Sequence, residues 1–121
     1  MPRPVLDEAA LHPAIRDTVA GHHADLLREV QQAAASHPVL VLGMAQNPFV
    51  KKARRALDAA GVAHHDLDYG SYFGQWRRRN ALKMWTGWPT FPMVFVKGQL
   101  VGGANDLRRL IASGELQRLL G

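Results

Sequence analysis

The run Val39-Leu40-Val41-Leu42 constrains this chain more than any other feature. Four aliphatic residues with no polar alternation fit a strand buried on both faces, and such a strand lies in the middle of a sheet with helices packed on either side. The sequence after it narrows the choice further. Asn47 is a favoured helix cap and Pro48 a favoured first helical residue, so a helix runs from about Pro48 to about Ala60, where Gly61 stops it. Its apolar face carries Phe49, Val50, Ala53, Ala56, Leu57 and Ala60, and its other face carries Lys51, Lys52, Arg54 and Arg55. A buried strand feeding an amphipathic helix points to an α/β layered domain.

The remaining elements fit that frame. Residues 24–35 form an amphipathic helix with Leu26, Leu27, Val30 and Ala34 on one side, ended by His37-Pro38. Val62–Tyr69 reads as a second strand, and Tyr72–Trp85 as a helix. Met93–Val96 and Gln99–Val101 are strands of a hairpin turning at Lys97-Gly98. Asn105 caps a helix through Ala112, and a last helical turn covers Glu115–Leu120. The order is α-β-α-β-α-β-β-α, with residues 1–23 a loosely attached, proline-punctuated arm holding a short helical turn. The 24–121 portion forms one domain, and 121 residues leave no room for a second.

Composition enters through what it excludes. There is no cysteine, so the chain has no disulfide, no thiolate nucleophile and no cysteine ligand for zinc or an iron–sulfur cluster. The six histidines show no three-ligand metal spacing, and Ser36, Ser71 and Ser113 lie in no nucleophile motif. The net charge of +5 is concentrated between residues 51 and 83. There Lys51, Lys52, Arg54, Arg55, Arg77, Arg78, Arg79 and Lys83 face only Asp58, Asp66 and Asp68. Such a patch favours anionic partners. Trp76, Trp85 and Trp88 interleave with it, a pattern that serves single-stranded nucleic acid by stacking but more commonly packs a helix on a core. Nucleic acid is therefore the lesser reading. The N-terminal residues lack the apolar run of a signal peptide, and no stretch approaches membrane-spanning length, so a cytoplasmic protein with no membrane partner is expected.

The segment from Trp88 to Leu107 carries a family likeness. Trp88-Pro89-Thr90-Phe91-Pro92, the hairpin through Val96-Lys97-Gly98, and Gly102-Gly103-Ala104-Asn105-Asp106-Leu107 look like a W-P-T-x-P … V-x-G … G-G-x-D-x-L pattern, with Asn105 in the place of the pattern's acid. With the element order, the chain from about Pro38 to Gly121 resembles the glutaredoxin family of the thioredoxin fold. The resemblance implies a four-stranded mixed sheet flanked by helices, with the 24–35 helix as an N-terminal addition. The W-P-T opening resembles the monothiol branch. The family's C-P-Y-C redox motif falls on Asn47-Pro48-Phe49-Val50, so asparagine and valine stand where the two sulfurs would be. The family lysine three residues before the nucleophile is Met44 here.

The resemblance also implies a ligand groove. Phe91-Pro92 matches the family's cis-proline pair, whose preceding residue pairs its backbone with the cysteine moiety of glutathione. Gly103, Ala104, Asn105 and Asp106 match the segment that binds the γ-glutamyl end; N–H groups opening a helix favour a carboxylate. Arg79 matches a monothiol-branch arginine that holds the glycine carboxylate. Loss of the lysine at Met44 removes one charge-assisted bond, worth about 1.5–3 kcal/mol, or roughly 10- to 150-fold in affinity. Asn47 reads either as a plain helix cap or as a polar contact to ligand.

Disulfide reduction through a mixed disulfide needs a thiolate, so fold and activity separate here. The expected function is a non-catalytic, glutaredoxin-related binder or regulatory module for glutathione, a glutathionylated protein or a similar carboxylate, with no catalytic residue and no bound metal. The alternatives are a protein-interaction scaffold whose basic helices meet an acidic partner, and a redox or iron–sulfur role that borrows sulfur from a partner.

Overall fold

The computed structural model describes residues 3–71 and 74–121. Strand β1 (Val39–Gly43) is buried along its whole length, as its unbroken aliphatic run requires. It pairs in parallel with β2 (His65–Asp68), Leu42 opposite Leu67, and antiparallel with β3 (Met93–Val96), Val41 opposite Val94. β3 continues into β4 (Gln99–Gly102) through Lys97 and Gly98, both at positive φ, with a register irregularity at Val94/Phe95. The sheet order is β2-β1-β3-β4.

Alternation along β1 divides the core. Leu40 and Leu42 point to one layer with Leu26, Val30, Ala81, Leu82, Met93 and Phe95. Val39 and Val41 point to the other with Ala53, Leu57, Val94, Leu107 and Leu116. The first layer is closed by α2 (Ala24–Ser36) and α4 (Trp76–Thr86), the second by α3 (Pro48–Ala59), α5 (Ala104–Ala112) and α6 (Glu115–Leu120). Leu40, Leu42, Leu57 and Leu107 are fully buried, each worth about 1.5–3 kcal/mol relative to exposure.

Four local departures from the sequence reading have physical causes. β2 is shorter than Val62–Tyr69 because this edge strand meets β1 over only four residue pairs. α4 begins at Trp76 because Gln75 is left-handed (φ 56°); the expected start at Tyr72 lies outside the described residues. Asn105 does not cap α5: the capping position is Gly103, whose N–H donates to the Asp106 carboxylate at 3.0 Å. The N-terminal arm holds more than one turn, with a 3-10 turn at Glu8–Ala10 and a helix α1 (Pro13–Ala20) capped by the His12 ring. The arm is also pinned at its start. Arg3 donates to the Trp85 carbonyl at 2.9 Å and the Thr86 carbonyl at 2.5 Å, satisfying orphan acceptors at the end of α4.

Candidate functional site

The site is built where β1 ends and α3 begins, opposite the turn into β3 and the start of α5. Asn47 is 8% exposed, and its side-chain oxygen accepts from the N–H of Phe49 at 2.9 Å and of Val50 at 3.2 Å. These are first-turn donors of α3, otherwise unpaired, and an asparagine acceptor satisfies two of them at once. Of the two readings of Asn47, the helix cap is the one the geometry shows. Val50 is buried against the core, 1% exposed, and Met44 is buried as well.

Beside the cap lies an open groove of about 270 Å³. It is lined by Phe49, Trp88, Thr90, Phe91, Pro92 and residues 103–106. The Phe91–Pro92 peptide bond is cis. Gly102, the residue entering the 103–106 turn, has φ +116°, and a Cβ there would lie 2.6 Å from an Asp106 carboxylate oxygen. Only glycine fits that approach. Asp106 is thereby held against the Gly103 N–H, and Ala104 and Asn105 open α5 at the groove.

The structure therefore brings together Phe91, Pro92, Gly103, Ala104, Asn105 and Asp106, all expected from the sequence. It does not bring Arg79 to them. Arg79 is 8% exposed, and one guanidinium nitrogen donates to the carbonyls of Tyr69, at 2.9 Å, and Gly74. It clamps the chain ahead of α4 from within, so the expectation that its side chain faces the groove is corrected. The cause is the left-handed Gln75: the helix starts late, and Arg79 falls on the inner face of its first turn.

Two lysines stand against rings that line the groove. Lys83 Nζ is 5.9 Å from the centre of the Phe91 ring, and Lys52 Nζ is 5.5 Å from the centre of the half-exposed Phe49 ring. The sequence marks Lys83 only as part of the basic run between residues 51 and 83. Trp88 does line the groove, a place the sequence did not assign to it. Its indole N–H is buried with no hydrogen-bond partner among the described residues. The three tryptophans do not share one surface stripe: Trp85 stacks on Phe95, Trp88 enters the groove and Trp76 is exposed.

A separate charged cluster braces the edge strand. Arg54 meets Asp68 at 2.6 Å and Asp66 at 3.3 Å, and His64 lies between Asp58 at 2.9 Å and Asp66 at 2.8 Å. Burial disfavours the charged imidazole, but two carboxylate hydrogen bonds and their charges outweigh it, and the His64 pKa is raised. Tyr69 is held far above its ordinary range by burial and by Glu29, which accepts its hydroxyl hydrogen. Among the described residues no group of three or more His, Asp or Glu is placed to hold a metal ion.

A glutaredoxin family model matches residues 39–101. A glutaredoxin-like protein of Dictyostelium discoideum is 41% identical over 102 residues, covering 84% of this chain and 83% of that protein. The chain belongs to the glutaredoxin family. The chloroplastic bifunctional monothiol glutaredoxin-S16 of Arabidopsis thaliana is 39% identical over 64 residues, 53% of this chain and 22% of that longer protein. Among solved structures, oxidized glutaredoxin 2 from Chlamydomonas reinhardtii superposes with a TM-score of 0.69 at 28% identity, over 80% of this chain and 92% of that one. The fold is thus the thioredoxin-like fold of glutaredoxins. Set in that family, this sequence contains no cysteine. An iron–sulfur cluster does not fit either. This chain has no thiolate to give, and the oxygen of Asn47 is already committed to two backbone donors.

Among the described residues no helix is long and apolar enough to cross a membrane.

Proposed function

We propose that this glutaredoxin-related chain is a non-catalytic binder of glutathione or a closely similar γ-glutamyl carboxylate, free or attached to a protein. The observation that carries the reading is the coexistence of two features. The 270 Å³ groove is assembled from the residues the family pattern names, while the position of the nucleophile is filled by a helix cap. In this reading the N–H groups of Ala104 and Asn105, at the start of α5, receive the γ-glutamyl carboxylate. The backbone of Phe91 pairs with the central residue of the ligand. Lys83 and Lys52 face its other carboxylate, the task sequence reasoning gave to Arg79. Each lysine is a point charge, not a bidentate fork, so affinity is weaker and less geometrically selective than an arginine would give.

Titration calorimetry tests this with two ligands, reduced glutathione and cysteinylglycine, which lacks the γ-glutamyl group. Saturable heat with glutathione alone is expected. Equal binding of both, or of neither, overturns the proposal. A protein-interaction role that ignores the groove would instead leave glutathione without effect.

A further inference from the structure

The N-terminal arm creates a second concavity, which shares no lining residue with the glutathione groove. It measures about 320 Å³ and lies between α1, α2 and α4, with Val19, His22, Leu27, Ala81, Met84 and Trp85 in its wall. Its rim is unusually apolar for a free surface. Helix α1 buries none of its residues, yet Ile15 and Val19, one turn apart, are each 47% exposed. Met84 on the facing helix is 68% exposed. Isolated exposed apolar side chains are ordinary, but a contiguous set around a cavity marks a contact surface.

The charge beside it identifies the occupant. Arg77 precedes Ala81 by four residues and Met84 by seven, and Arg78 precedes Trp85 by seven, so both arginines continue the pocket face of α4 toward its N-terminus. Both are exposed, and neither pairs with a carboxylate among the described residues; Arg77 lies over the Trp76 ring and Arg78 over the Tyr69 ring. The acids of the neighbouring α2 are already engaged. Asp25 pairs with Arg28 at 3.4 Å, and Glu29 accepts the Tyr69 hydroxyl. The start of α4 adds its own positive end, because Gln75 supplies no side-chain cap.

We propose that this α1–α2–α4 face docks an acidic amphipathic segment of a partner protein, one large apolar side chain seated between Val19, Met84 and Trp85 and its carboxylates over Arg77 and Arg78. The segment is helical or extended, and its anchor is of leucine or phenylalanine size, since the cavity admits one such side chain. The site does not depend on the glutathione groove and stands whether or not that groove is occupied.

Fluorescence anisotropy with a labelled short peptide tests it, the peptide carrying Leu and Phe at helical spacing and Glu between them. Two control peptides replace Glu by Lys or the apolar residues by Ala. The acidic peptide binds saturably, and both Met84→Asp and the Arg77→Glu/Arg78→Glu pair weaken it by about tenfold or more. Met84 and both arginines are exposed, so these variants keep the fold, and circular dichroism verifies that. The proposal fails if no peptide binds, if the alanine or lysine control binds as well, or if Met84→Asp leaves binding intact. It fails equally if sedimentation shows a dimer that Met84→Asp dissociates, since a second copy then covers the face.

Discussion

Replacing Asn47 by alanine removes the acceptor for two backbone N–H groups at the start of α3. An N-cap lost to alanine costs about 0.5–2 kcal/mol. At 8% exposure water cannot readily take over the role, so the upper half of that range applies, about 1–2 kcal/mol. For a chain of this size each kcal/mol moves Tm by roughly 3–5 °C, giving a fall of roughly 3–10 °C. Asn47→Asp keeps an acceptor in the same place and sets a negative charge at the positive end of the helix. It should stay within about 0.5 kcal/mol of wild type. Urea unfolding followed by tryptophan fluorescence reads both. If alanine is neutral, or aspartate is as harmful as alanine, then Asn47 is not held here for capping and the account of the missing nucleophile is wrong.

Other consequences follow from single contacts. Arg79→Met should destabilise by about 1.5–3 kcal/mol in urea, because it frees two carbonyls from a charged donor, while changing glutathione affinity by less than about threefold. A selective loss of ligand affinity at unchanged stability would return Arg79 to the groove. Trp88→Phe deletes a buried N–H that has no partner, so stability should change by less than about 1 kcal/mol; a larger loss would reveal a partner for the indole. His64 has a folded pKa above its ordinary 6.5, so the stability it contributes is complete below about pH 6.5 and is lost as pH rises through the folded value. Melting temperature should therefore fall across that window in wild type more than in His64→Gln. Parallel pH profiles would exclude the Asp58–His64–Asp66 cluster as the source.

The layers of this fold were legible because hydrophobic runs dictate them. Val39–Leu42 can be satisfied only between two helical layers, and the punctuation at Asn47-Pro48 and Gly102-Gly103 places the helices that follow. Most of the groove was legible through the family resemblance, which names Phe91, Pro92 and residues 103–106 at its turns. Arg79 was misread because its direction depends on the start of α4, which a left-handed Gln75 sets and no side-chain pattern announces. Asn105 was misread because a backbone N–H held by Asp106, not a side-chain cap, opens α5. The contacts of Arg3 with the end of α4 span more than eighty residues of sequence, and no periodicity encodes them.

The central claim is that the groove outlived the chemistry. A ¹⁵N amide-shift titration with reduced glutathione tests it directly, because it locates the ligand as well as detecting it. The account predicts saturating shifts at Phe91, Gly103, Ala104 and Asn105, with the amides of α1 and the Arg77–Arg78 face unmoved. No shifts at millimolar ligand, or shifts confined to α1 and the Arg77–Arg78 face, would contradict it and leave the chain with the family's scaffold alone.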